Sequence, residues 1–323
     1  MRVLVTGANG FVGSHLIGAL AERGLPARAA LRRERQQACG SVLHDRCVVG
    51  TIDGRTDWRT ALEGCGTVVH LAARVHMMRE ASDADVAYRE TNVDAIRALA
   101  RQSAAAGVRR FLFASTVKVH GEGRAEPYAE GDAPAPRDAY ARSKQQAEQA
   151  LREIASETGM EATILRIPLV YGPGVGGNFL RLMHAVDAGK PLPFGSVDNR
   201  RSLVYVGNLV DAIVACLAHP AAAQQTFLVS DGEDVSTPAL VRRLAHALGR
   251  RPRLLPVPVA LLRLAGSLSG RRAEIERMVG SFAVDSGVIR AAIGWTPPLA
   301  LDAGLARTAA WYVKAFRSLR PGD

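Results

Sequence analysis

Cysteine, lysine and aromatic residues are all scarce in this 323-residue chain, and each scarcity removes a class of function. The cysteines, Cys39, Cys47, Cys65 and Cys216, show no C-x-x-C spacing and no paired histidines. They suggest neither a disulfide framework nor a zinc site, and read as reduced structural thiols. Of the 41 basic residues, 37 are arginines, spread along the chain and often paired, as in Arg32-Arg33 and Arg200-Arg201. Without a basic tail or an aromatic-interleaved stripe, the net charge of +10 does not read as a nucleic-acid surface; it suits acidic small molecules and solvated arginines. Long apolar runs are missing too. The segment Pro256 to Gly270 holds a short apolar helix, Val257-Pro258-Val259-Ala260-Leu261-Leu262, broken by Arg263 and too short to span a bilayer. It reads as an amphipathic helix packed on a second lobe, so no membrane partner is expected. No leader pattern precedes the first strand, which makes a cytoplasmic protein the expectation.

What is present is a globular composition, 48% hydrophobic, with alternating elements in the first half. Strands are predicted near 2–6, 27–31, 46–50, 67–71, 109–114 and 162–167, and helices near 11–23, 56–63, 84–106 and 139–158. This alternation reads as a doubly wound parallel sheet. After Pro168 the elements shorten and are separated by Gly and Pro, which reads as a discontinuous second lobe. The organisation expected is therefore residues 1–167 as one domain and 168–323 mainly as the lobe, with some segments returning to the first domain.

The first strand, Arg2-Val3-Leu4-Val5-Thr6, runs into Gly7-Ala8-Asn9-Gly10-Phe11-Val12-Gly13 and then a helical pattern. Glycines in such a turn let backbone N–H groups approach a pyrophosphate at a helix N-terminus. The spacing is G-x-x-G-x-x-G rather than the commonest G-x-G-x-x-G. A second feature is the strand Arg109 to Ala114, which ends in the hydroxyl pair Ser115-Thr116 at the place where open α/β sheets put chemistry. The third is Tyr140 and Lys144, whose spacing sets a phenol and an ammonium on one helix face. A tyrosine ordinarily titrates near pH ~10, and an adjacent cation favours its phenolate. The pair reads as an acid/base.

In this order the features resemble the extended short-chain dehydrogenase/reductase family, in its sugar-nucleotide epimerase/dehydratase branch. Further matches are His70-Leu71-Ala72-Ala73, Thr91-Asn92-Val93, Arg166-Ile167-Pro168-Leu169-Val170-Tyr171-Gly172-Pro173 and Gly294-Trp295-Thr296-Pro297, so the likeness covers nearly the whole chain. It implies a Rossmann-type doubly wound sheet with a smaller discontinuous α+β substrate lobe. It also implies that Gly7, Gly10, Phe11, Val12 and Gly13 hold the cofactor. Leu71, Ala72, Ala73, Ile167 and Leu169 are expected to line it, and Lys144 to bond its ribose. Tyr140 is then the proton donor, and Thr116 holds the substrate oxygen. Ser115 reads either as a brace for the cofactor or as a strand-end cap.

Roughly 20 residues past the glycines, where NAD users commonly carry an acid, this chain has Arg32 and Arg33. An arginine there pairs with a 2′-phosphate, which favours NADP over NAD. Asp53 is the candidate for contacting adenine, although Thr51 stands where the resemblance leads one to expect an aspartate. Asn178 and Arg201 match the branch's positions for gripping a nucleoside diphosphate, with Phe179 alongside, and Arg277 either assists or is a surface arginine. His76 either faces the sugar or is structural.

The 4,6-dehydratases of the branch resemble Ser-Thr-Asp-Glu-Val-Tyr-Gly at the catalytic strand end, whereas this chain has Ser115-Thr116-Val117-Lys118-Val119-His120-Gly121. Valine and lysine cannot perform the acid pair's proton chemistry, which disfavours dehydration. Arg32, which points to exchangeable NADPH, and a likeness to reductases of surface-polysaccharide pathways from Asn178 through Arg201-Ser202-Leu203-Val204-Tyr205 and at Phe282-Ala283-Val284-Asp285 make reduction of the C4 ketone of a UDP-linked 4-keto-6-deoxy sugar the favoured expectation. A UDP-sugar 4-epimerase using NAD is the alternative, and a non-catalytic cofactor-binding module a distant one. A homodimer formed through the helices near 84–106 and 139–158 is also expected from the resemblance.

Overall fold

The computed structural model describes residues 2–33, 45–74 and 84–317. Its main layer is a seven-stranded sheet in the order β3-β2-β1-β4-β5-β6-β9, every neighbouring pair parallel. The strands are β1 (Arg2–Thr6), β2 (Ala27–Leu31), β3 (Arg46–Val48), β4 (Cys65–His70), β5 (Arg110–Thr116), β6 (Glu161–Ile167) and, from much later in the chain, β9 (Gln225–Leu228). Because β1 stands between β2 and β4, the strand order reverses beside it. Crevices at such reversals, at the carboxyl ends of the strands, are where open α/β sheets bind ligands.

The central strands read as continuous apolar runs because both sheet faces are covered. Helix α1 (Phe11–Glu22) buries Leu16, Ile17 and Leu20 on one face. The opposite face carries Trp58, Ile96, Leu99, Leu151 and Ile154, which come from loop, helix α4 (Ala95–Ala105) and helix α5 (Ala139–Thr158). The short helices α2 (Arg59–Leu62) and α3 (Ala84–Tyr88) precede them. The long helix expected over 84–106 is interrupted: a π-helical turn at Arg89–Asp94 joins α3 to α4. Single π turns of this kind widen a helix locally and frequently occur at functional sites.

Beyond Ile167 the chain builds a second sheet, β10-β8-β7, from β7 (Leu169–Tyr171), β8 (Arg201–Tyr205) and β10 (Asp234–Val235). Helices α6 (Gly177–Asp187), α8 (Thr237–Ala247) and α12 (Leu301–Tyr312) share its apolar core with Tyr171 and Tyr205. Helix α7 (Val206–Ala218) instead packs on α1 and leads to β9. Helices α9 (Val259–Leu268) and α10 (Arg272–Val279) complete the lobe, while α11 (Gly287–Ile293) packs beside β9, its Ile289 buried in the same core as α1. Helix α9 packs on α10 as an amphipathic helix, with Leu262 and Gly266 buried and Val259 half-buried against the same cluster. Among the described residues no helix is long and apolar enough to cross a membrane.

Candidate active site

The glycine turn closes on itself between β1 and α1. Gly7 has φ +68°, a left-handed conformation that favours glycine. A Cβ on it would come within 2.8 Å of the Ala72 amide nitrogen. At Gly13 a Cβ would lie 2.1 Å from the Gly7 carbonyl oxygen. No side chain can occupy this cradle, and its walls are backbone, which is what a pyrophosphate site at a helix N-terminus requires. The residues present therefore fit a dinucleotide.

Thr6 ties that turn to the next strand. Its Oγ1 accepts a hydrogen bond from the Ala72 N–H at 3.2 Å, which leaves its own hydrogen for Nδ1 of His70 at 2.8 Å. Burial, and secondarily the charge of Lys144, push the His70 pKa down to about 3. It is a neutral buried strut, stacked on Phe113.

Tyr140 and Lys144 stand on the first two turns of α5, and several bonds fasten those turns to the end of β5. Asp138 caps the helix, its Oδ1 accepting from the Ala141 N–H at 2.7 Å. Its Oδ2 receives Nζ of Lys118 at 2.8 Å, and the same Nζ reaches Glu122 at 2.9 Å. Burial opposes it, but Lys118 and the Ala141 amide hold the Asp138 carboxyl below its ordinary range. Asn92, inside the π-helical turn, donates to Oγ of Ser143 at 2.9 Å, next to Lys144. Thr116 N-caps the turn after β5, accepting from the Lys118 amide at 3.3 Å.

The electrostatics differ from the sequence expectation. Burial, then the charge of Asp138, raises the Tyr140 pKa rather than lowering it. Lys144 is buried, donates to the Ala114 carbonyl at 2.5 Å and lies 3.9 Å over the Phe113 ring. Desolvation brings its pKa down to about 7, against the pull of Glu148. Loss of water is the largest cause of the shift at both groups.

Behind this trio lies a buried polar network that the sequence reading missed. Glu148, fully buried one turn beyond Lys144, accepts from Oγ of Ser115 at 2.5 Å and from Nη2 of Arg166 at 2.7 Å. The Ser115 hydroxyl is thus committed to Glu148, a correction to its reading as a brace for the cofactor. Arg166 also meets Nε2 of His120 at 2.9 Å. Facing a guanidinium, Nε2 must accept, so the ring proton sits on the buried Nδ1. The Lys144/Glu148 spacing on one helix face was the available signal for Glu148.

His120 supplies a pH test. Desolvation and Arg166 hold its pKa at about 4, below the ordinary 6.5. Between these values the unfolded chain binds a proton that the folded chain refuses, so stability falls as pH drops from about 6.5 toward 4. His120→Gln keeps an acceptor for Arg166 and removes the titration. The slope of unfolding free energy against pH in that window should flatten by up to about 1.4 kcal/mol per pH unit, measured by urea denaturation. An unchanged slope would refute the assignment.

The expected substrate residues are only partly gathered. Nη1 of Arg201 donates to the carbonyls of Arg277 at 2.5 Å and Gly280 at 3.1 Å, so β8 and α10 meet there. Burial lowers the Arg201 pKa, with the charge of Glu122 opposing. Arg277 is exposed, and its positive charge contributes to lowering the Asp138 pKa, after Lys118 and the Ala141 amide. Asn178 is exposed near the start of α6, 3.5 Å from Arg181. Phe179, expected beside it at the site, is instead buried and stacked on Tyr171. Asp53 shapes its own turn, its Oδ1 accepting from the Arg55 N–H at 2.8 Å. Ile167 ends β6 and Leu169, 42% exposed, starts β7. Arg32 and Arg33 are exposed at the end of β2, and no hydrogen bond or ion pair among the described residues fixes either one. His76 lies outside the described residues.

A glycine cradle at the strand reversal, with Thr116, Tyr140 and Lys144 at the carboxyl end of β5 two strands away, defines a protein of the short-chain dehydrogenase/reductase type. Residues 3–230 match the model of the NAD dependent epimerase/dehydratase family, and the chain belongs to that family. It is 42% identical over 319 residues to a UDP-glucose 4-epimerase of Vibrio cholerae, covering 97% of this chain and 96% of that one. Among solved structures it resembles the UDP-glucose 4-epimerase of Thermus thermophilus in complex with NAD, with TM-score 0.78, 25% identity, and coverage of 98% of this chain and 100% of the other. MoeE5 in complex with UDP-glucuronic acid and NAD superimposes with TM-score 0.79 at 26% identity, again over 98% and 100%.

Proposed function

We propose that the protein is a UDP-sugar 4-epimerase that keeps NAD bound through the catalytic cycle. The observation that carries this reading is the 42% identity, over almost the full length of both chains, to a UDP-glucose 4-epimerase. The strand end agrees with it: Val117 is buried in an apolar cluster and Lys118 is paired with Asp138 and Glu122, so neither supplies the acid that dehydration needs. Keto-sugar reduction with NADPH rested on Arg32, and that expectation loses its support. The similar solved epimerase holds NAD, and so does MoeE5.

NAD, when bound, supplies an acceptor that takes a hydride from C4 of the sugar and returns it to the opposite face. The cradle of Gly7, Gly10 and Gly13 would hold its pyrophosphate. Tyr140 takes the proton of the C4 hydroxyl and gives it back, which requires the phenolate. Lys144, on the same helix face, favours that form whenever it is protonated. Thr116, whose hydroxyl hydrogen is not used in capping, donates to the sugar oxygen. Arg201 and Arg277 would hold the diphosphate, as bidentate donors suited to it.

The test is redox balance. Given UDP-glucose or UDP-N-acetylglucosamine and no reduced cofactor, the enzyme should complete many turnovers to the 4-epimer, followed by chromatography. Stoichiometric NADPH consumption with a 4-keto-6-deoxy sugar nucleotide, and no epimerisation, would overturn the reading in favour of a reductase. Two copies are further proposed to pair through α4 and α5, and light scattering at micromolar concentration should give twice the chain mass; a monomeric mass would refute this.

A further inference from the structure

Helix α9 touches the lobe along one narrow line. Leu262 and Gly266 are its buried residues, and a Cβ on Gly266 would come within 2.8 Å of Ile275 Cγ1, so α9 rests tightly on α10 there. Its other leucines face away. Leu261, Leu264 and Leu268 are 55%, 56% and 81% exposed, spaced to form a single stripe with the exposed Ala265 between them. Leu255, just upstream, is 48% exposed.

The charge around the stripe is one-sided. Residues 250–277 contain seven arginines against Glu274 and Glu276, and Glu276 is already paired with Arg263 at 3.1 Å. Arg251, Arg271 and Arg272 are exposed and form no ion pair among the described residues. A second copy of a chain with net charge +10 would bring a like-charged rim against this one. A surface both apolar and anionic would satisfy the leucines and the arginines together.

We propose that α9 is an interfacial helix that docks the protein on an anionic phospholipid membrane. Leu261, Leu264 and Leu268 enter the acyl boundary, and Arg251, Arg271 and Arg272 meet lipid phosphates. Docking of this kind is peripheral, in keeping with a helix too short to span. Because α9 rests on α10, which carries Arg277, the membrane would lie beside the candidate substrate residues.

Flotation with vesicles of phosphatidylcholine, with and without phosphatidylglycerol, tests the proposal on the full chain. The protein should float with the anionic vesicles and release as salt is raised. The triple variant Leu261→Ser/Leu264→Ser/Leu268→Ser should lose this binding by roughly tenfold or more, with circular dichroism and melting transition unchanged because the three side chains face solvent. Arg271→Gln/Arg272→Gln should weaken binding and reduce its salt dependence. The proposal is overturned if the wild type stays unbound with anionic vesicles, or if the leucine variant floats as well as the wild type. Self-association dispersed by the leucine variant without lipid binding, seen by sedimentation velocity, would also overturn it and make the stripe a contact between copies.

Discussion

Tyr140→Phe is expected to lower sugar-nucleotide turnover by about 10²-fold or more while leaving cofactor retention intact. The ring stays, and with it the packing against Tyr88 at a centroid distance of 6.1 Å; only the proton carrier goes. The starting state sharpens the expectation. Burial favours the neutral phenol, and desolvation brings Lys144 to about 7, so near neutrality the phenol keeps its proton while Lys144 exchanges one readily. Removing the hydroxyl leaves Lys144 hydrogen-bonded to the Ala114 carbonyl with no phenol beside it to relay its charge to substrate. A kcat near that of the wild type at saturating substrate would show that another group moves the proton, and the assignment would fall.

The second large effect is expected at Gly13. An alanine Cβ there meets the Gly7 carbonyl oxygen at 2.1 Å and the Ala8 Cα at 2.8 Å. Both are backbone atoms, so no rotamer change relieves the clash. Either α1 must withdraw from the turn or the turn must open, and each pulls N–H groups away from the pyrophosphate position. Gly13→Ala should therefore abolish copurifying dinucleotide, read by ultraviolet absorbance of the protein-free supernatant after denaturation. Gly18→Ala, in the same helix, is the control, because its Cβ meets no atom within 4 Å. It should retain cofactor and gain roughly 0.5–1 kcal/mol from reduced chain entropy. Equal cofactor content in the two variants would mean that close helix approach is not what binds the dinucleotide.

The sheet was legible because buried parallel strands leave long apolar runs bounded by Gly and by helical periodicity. The strand from Arg2 to Thr6 and the helix from Ala139 to Thr158 fall where the pattern put them. The break at Arg89–Asp94 was not legible, since the apolar spacing continues across it and only the added residue per turn reveals it. Tyr140, Lys144 and the glycines could be picked out because their chemistry is tied to fixed local spacing. Arg166 and His120 could not, because what joins them to Glu148 is a meeting of α5, β6 and the end of β5 in space, and the spacing of Lys144 and Glu148 gave only one member of the network. Arg32 led in the opposite direction: a residue type alone pointed to a 2′-phosphate, whereas the similar solved epimerase holds NAD.

The late arrival of β9 has a consequence during synthesis. Strand β6 ends at Ile167, and the strand that covers its open edge begins only at Gln225. At ~5–20 residues per second the ribosome needs roughly 3–12 s to make the intervening stretch, and β6 meanwhile presents unpaired amides and carbonyls to neighbouring nascent chains. A polypeptide cut after Ile167 would keep that raw edge for good. The first half, although it holds the cradle and the Thr–Tyr–Lys trio, is therefore expected to associate and precipitate when expressed alone, and to become tractable only when the cut is moved past Leu228.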